Sequence, residues 1–229
     1  YFPASRAPPG YDPPELTQEQ RNLHATRFVQ EMTPIINKAE GTGPTDSITR
    51  TFTEERLNAY LASLDEIAFY RVGSRRGEVR EAMEKAGLEG LAIAVNDGGV
   101  TLMVRSVEYD KVLSADLSLA MTEAESIEVK LTGARVGRLA IPTGLVRTGL
   151  TKLKDALPQR AESGRSRIGG LKVNELEEAL TGILAAVDGE SIRPQWRVEG
   201  VRMSLTGLLA EPGKLTLTFR RSVGKNDSK

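Results

Sequence analysis

Between Leu88 and Pro142 the chain alternates apolar and polar residues over four successive runs, and this alternation restricts the possible folds more than any other feature. Leu91, Ile93 and Val95 share one parity, and Asn96-Asp97-Gly98-Gly99 follows them. Asp-Gly supplies the positive φ that a tight hairpin turn needs. Val100, Leu102 and Val104 lead back. Leu113, Ala115, Leu117, Leu119 and Met121 then alternate with Ser114, Asp116 and Ser118, and Ile127, Val129 and Leu131 with Glu128, Lys130 and Thr132. Successive side chains of a strand point to opposite faces, so these runs predict an antiparallel meander with one apolar and one wet face. The apolar face has to be covered.

The flanking sequence supplies the cover. From Leu16 to Ala39, Ala25, Phe28, Val29, Met32, Ile35 and Ile36 recur at helical spacing, and Thr33-Pro34 predicts a kink or a fresh helix start. Residues 47–52 read as a short strand. A helix opens at Thr51 or Thr53 with Leu57, Tyr60, Leu61 and Leu64 inward, and a shorter one falls within residues 71–87. Pro142 suits the first position of a helix carrying Leu145, Val146, Leu150, Leu153 and Leu157. Asn174 and Glu177 form a capping box ahead of a further helix, and strands near residues 195–198, 201–209 and 215–219 close the chain. Strands are grouped instead of alternating with helices. The predicted class is therefore α+β, a curved antiparallel sheet packed against long amphipathic helices, and not a parallel nucleotide-binding sheet. Residues 16–221 read as a single domain and 222–229 as a polar tail. Tyr1-Phe2 followed by five prolines within residues 1–15 reads as an extended spacer behind a removed membrane anchor, since aromatics favour the bilayer interface. A trimmed tail explains the same residues equally well.

Residue types exclude several chemistries. With no cysteine there is no disulfide scaffold and no thiolate ligand or nucleophile. His24 is the single histidine, so a zinc site or a histidine triad lacks partners, and a structural role is expected for it. The run 41–47 (GTGPTDS) lacks the Gly-Lys-Ser/Thr of a phosphate loop and reads as a turn. Paired acids at Glu54-Glu55 and Glu175/Glu177 fit helix caps. Neither metal nor cofactor is expected. The 31 basic and 31 acidic residues cancel overall, yet residues 135–172 carry nine basic and two acidic side chains, a local +7. Without stacking aromatics this stretch argues against nucleic acid and toward a membrane surface or an envelope protein. Arg147, Arg160, Arg165 and Arg167 are its candidate contacts, and a solvated face balanced by acidic segments elsewhere is the plainer alternative.

Phe52 to Leu64 (FTEERLNAYLASL), the meander, and Ala134 to Pro142 (ARVGRLAIP) with the leucine-rich helix behind it together resemble the YpmS-like proteins. Those are bacterial and hold an extracytoplasmic domain on one N-terminal transmembrane helix. More broadly the pattern is similar to tubular lipid-binding (TULIP-like) modules, in which a curved sheet wraps a long helix around an apolar groove. The likeness spans roughly residues 47–157, in element order and apolar positions, and carries over no functional residue. It implies a non-enzymatic, extracytoplasmic module that holds or transfers a lipid or other apolar ligand between sheet and helices. Leu102, Val104, Leu117, Leu119, Val129, Leu145 and Leu153 are the candidate lining, although the same residues would equally fill a closed core. The alternative is a membrane-tethered scaffold or accessory subunit that binds an envelope protein through residues 135–172. An enzyme ranks third and would need carboxylates converging in a polar cleft.

Overall fold

The computed structural model describes residues 7–41, 47–72, 75–122, 126–156, 167–168, 171–172, 189, 191–192, 195–198 and 201–221. In chain order its first elements are α1 (Gln18–Gly41), β1 (Ser47–Thr53), α2 (Glu54–Ala62), α3 (Leu64–Val72) and α4 (Glu78–Lys85). The meander follows as β2 (Leu88–Asn96), β3 (Gly99–Ser106), β4 (Lys111–Met121) and β5 (Ile127–Val136), then β6 (Leu139–Ala140) and α5 (Thr143–Ala156). Four short pieces come next: β7 (Arg167–Ile168), β8 (Leu171–Lys172), β9 (Ser191–Ile192) and β10 (Gln195–Val198). A long hairpin of β11 (Val201–Glu211) and β12 (Lys214–Arg221) ends the described chain. The α+β class with antiparallel sheets is thus the one the strand grouping predicts. The helix expected to open at Asn174 lies outside the described residues.

Local chemistry explains most element boundaries. Thr53 caps α2, its hydroxyl accepting from the Arg56 N–H at 3.3 Å. The helix read through Leu64 breaks at Ser63, which is fully buried and donates its hydroxyl to the Ala59 carbonyl at 2.8 Å. The Ser63 backbone leaves the helical region at φ −111°, ψ 15°, so α2 and α3 are two helices. The opposite difference occurs at Thr33-Pro34, where a kink or restart was expected. Here α1 continues as one element, and the Thr33 hydroxyl donates to the Val29 carbonyl at 2.7 Å.

The meander is ordered β2-β3-β4-β5-β6, with β9 also pairing β5. One face carries Ile93, Val95, Val100, Leu117 and Leu119, which pack with Leu57 of α2 and with Ala210 and Leu215 of the second sheet. The second sheet is ordered β1-β12-β11-β10. Its inner face brings Ile48, Leu205 and Phe219 against Ile127 and Val129 of β5 and Met32 of α1. Phe52, Ala25, Tyr60 and Ile67 form the adjoining core under the helices. The sheets are also stitched by backbone bonds: the Gly213 N–H donates to the Val95 carbonyl at 2.9 Å, and the Gly98 N–H to the Ala210 carbonyl at 3.0 Å.

The other face of the meander is wet only in part. Register shifts between Glu89 and Ala92, where Gly90 has φ +61° and Gly90-Leu91 faces one residue of β3. A bulge of this kind reverses side-chain parity. Here it brings Glu89 onto the wet face opposite Arg105. On that same face Ala92, Met103 and Val112 form an apolar patch, and Tyr11 packs over them. Residues 7–16, within and just past the stretch read as a spacer, lie along the sheet here, with Pro8 buried. Further along the same face Thr101 donates to Asp116 at 2.8 Å, and Arg135 pairs with Asp116 at 2.8 Å.

Candidate functional site

Where the N-terminal strap, the helices and β2 converge, a half-open cleft of about 310 Å³ remains. Leu61 and Ala62 at the end of α2 and Leu64 at the start of α3 form one wall, and Val79 and Met83 of α4 a second. Leu88, Gly90 and Leu91 of β2 form the third, and Pro13 and Pro14 close the remaining side. Each wall follows from a local cause. The break at Ser63 turns Leu61 and Leu64 toward the same space, and the bulge at Gly90 lets the strap come close enough to close the cleft.

Five charged side chains reach this space: Arg21, Asp65, Arg80, Glu84 and Glu89. Most are already engaged. Asp65 accepts the Gly77 N–H at 2.6 Å and the Val79 N–H at 3.0 Å, which fixes the start of α4. Glu89 pairs with Arg105 at 3.0 Å. Arg80 lies 3.9 Å from Asp65 and 4.0 Å from Glu66, whose other contact is a 2.8 Å bond donated by Gln18. Glu84 is exposed at the mouth. Arg21 differs from these, because its Nε is buried with no hydrogen-bond partner. An unpaired buried donor on a charged group is costly, so such an atom needs an explanation.

The residues expected to line a ligand groove are scattered. Leu117, Leu119 and Val129 belong to the packed cores between the sheets. Val104 is half-buried on β3, Leu102 is 43% exposed, and Leu145 near the start of α5 is 64% exposed. Leu153 lies on α5 with its side chain outside the described set. None of the seven except Leu117 lines any cleft described here, and Leu117 lines a shallow one between the turn at Gly98 and the irregularity of β4 at Asp116. Of the basic contacts, Arg147 is exposed on α5, Arg167 falls in β7, and Arg160 and Arg165 lie outside the described residues. His24 lines a second cleft of about 220 Å³ with Arg27, Glu55 and Arg56, on the far side of Pro14. Among the described residues no group of three or more His, Cys, Asp or Glu is placed to hold a metal ion, and no helix is long and apolar enough to cross a membrane.

Sequence reasoning did not find Arg21, Asp65 or Arg80. Each reads as an ordinary charged position on a helix, and only the folded arrangement of α1, α3 and α4 brings them together. Comparison with protein-family models, with curated proteins and with solved structures gave no match.

Proposed function

We propose that this protein is a non-enzymatic binding module that holds a small, largely apolar ligand between its meander and its helices. The observation that carries the reading is the cleft of about 310 Å³ between β2 and α1 to α4, with aliphatic walls and few polar groups left free. Small-molecule sites have this character, concave and mostly apolar with a few polar groups. The cleft sits at the low end of the usual size range, about 300–1,000 Å³, so the guest is compact and a two-chain phospholipid is too large. Its lining contains no serine, threonine, cysteine, tyrosine, lysine or histidine, and its inner carboxylate Asp65 is tied to two backbone N–H groups. That composition supports holding over turnover. In the same proposal the domain works outside the cytoplasm on a membrane tether, as the resemblance to YpmS-like proteins implies.

The test is native mass spectrometry of the purified chain together with thermal shifts against compact apolar ligands. Wild-type protein should take up ligand, and Met83→Trp, which fills the cleft, should abolish uptake while the fold persists. Empty wild-type protein with no shift from any ligand would end the proposal.

A further inference from the structure

We infer that the ligand of this cleft is an amphipathic carboxylate, a short acyl chain or a compact ring with one acid group, and that Arg21 holds the acid. The inference rests on the proposed cleft and adds the charge of its guest. Arg21 comes from the first turns of α1 and lines the cleft beside Leu61 and Leu64. Its Nε is out of water and without a partner, whereas the carboxylates inside the cleft are engaged: Asp65 binds two backbone N–H groups and lies 3.9 Å from Arg80, and Glu89 binds Arg105, while Glu84 is exposed.

A half-buried guanidinium with an idle Nε–H is satisfied best by a planar acid, because a carboxylate presents two oxygens to the guanidinium fork. A neutral alcohol supplies a weaker acceptor and leaves the charge uncompensated. An amine would set like charge against Arg21 and Arg80. The apolar walls fix the other end of the ligand, so acid and chain are recognised by different parts of one cleft. No bond is made or broken.

The experiment is isothermal titration of the full chain with octanoate, 1-octanol and octylamine, in wild type, R21Q and R21K. Octanoate should bind wild type about tenfold or more tighter than octanol, the size expected for a hydrogen bond to a charged group, and R21Q should erase that preference. R21K, which keeps the charge on a similar stem, should retain part of it even if R21Q disturbs the cleft. Equal binding of acid and alcohol, tighter binding of the amine, or an acid preference unchanged in R21Q would overturn the assignment while leaving the apolar cleft intact. If none of the three binds, the cleft reading falls with it.

Discussion

Asn58 holds both backbone groups of Ile93: its Nδ2 donates to the Ile93 carbonyl at 2.9 Å, and its Oδ1 accepts the Ile93 N–H at 2.8 Å. One turn earlier on α2, Glu54 accepts the Val95 N–H at 2.7 Å. β2 is the outer strand of the meander, and α2 serves as its missing neighbour. The fit is geometric, since four helical residues rise about 6 Å and two strand residues about 6.8 Å. An outer strand left bare is a template for pairing with another chain. Asn58→Leu should therefore cost about 2–3 kcal/mol, because it strands a donor and an acceptor, and should raise the aggregation rate. Asn58→Asp should cost at least as much, because a carboxylate oxygen then faces the Ile93 carbonyl. Urea midpoints and light scattering measure both, and an unchanged midpoint in either variant would refute the edge-capping role.

Gly90 and Tyr11 make a comparable pair on the opposite face. A methyl group on Gly90 would overlap the Tyr11 hydroxyl and press on Pro13, 3.3 Å away, and the backbone there has φ +61°. Gly90→Ala should destabilise by about 2–3 kcal/mol, of which about 1–2 kcal/mol is the left-handed backbone itself. Adding Tyr11→Phe removes the overlapping oxygen, so the double variant should lose less than the sum of the two singles. Strict additivity in denaturant unfolding would show that the strap does not lie on the bulge in solution.

These two pairs show how far the sequence could be read. The meander was legible because Val100, Leu117, Leu131 and their neighbours alternate strictly, and strand period is a local property. The bulge at Gly90 was not, because one inserted residue moves Glu89 to the other face without disturbing the composition. Tyr11 in a proline-rich stretch looks like part of a free tail, and nothing nearby in sequence reveals the Ala92–Met103–Val112 patch it covers. The same reason hid the cleft. Arg21 and Asp65 lie 44 positions apart on α1 and α3, and each alone has the signature of a solvated helix face. Of the expected lining, Leu117, Leu119 and Val129 pack between the two sheets.

Tyr60 should set an alkaline limit to stability. Its ring is buried at 5% exposure, and its hydroxyl donates to Glu31 at 2.6 Å. Burial first, and then that hydrogen bond to a carboxylate, hold the phenol protonated above its ordinary value of 10.0. The folded state thus binds this proton more tightly than the unfolded chain does. Its stabilisation is complete below about pH 10 and drains away as the pH climbs past that point. Tyr60→Phe should be about 1–2 kcal/mol less stable at neutral pH, with the deficit narrowing above pH 10. Tyr11, also shifted upward by burial, is common to both proteins and drops out of the difference. A deficit that stays constant from pH 7 to 11 would refute this account.

Asp65 caps a helix from outside it. α4 begins at Gly77, which has φ +83° and no side chain with which to cap its own first turn. Asp65, on α3, supplies the missing acceptors: Oδ2 takes the Gly77 N–H and Oδ1 the Val79 N–H. A carboxylate at a helix start satisfies free donors and also meets the positive end of the helix dipole. Asp65→Ala should cost about 1–2 kcal/mol, like the loss of any good cap. The loss should concentrate in α4, because eight residues with no fully buried side chain have little else to hold them. Amides of residues 78–83 should exchange severalfold faster in hydrogen–deuterium exchange, while those of β3 and β4 barely change. Since Val79 and Met83 form one wall of the cleft, octanoate affinity should fall in step, although removing a negative charge would by itself favour an acid. Tighter octanoate binding in Asp65→Ala would mean that Coulomb repulsion outweighs the positioning of that wall.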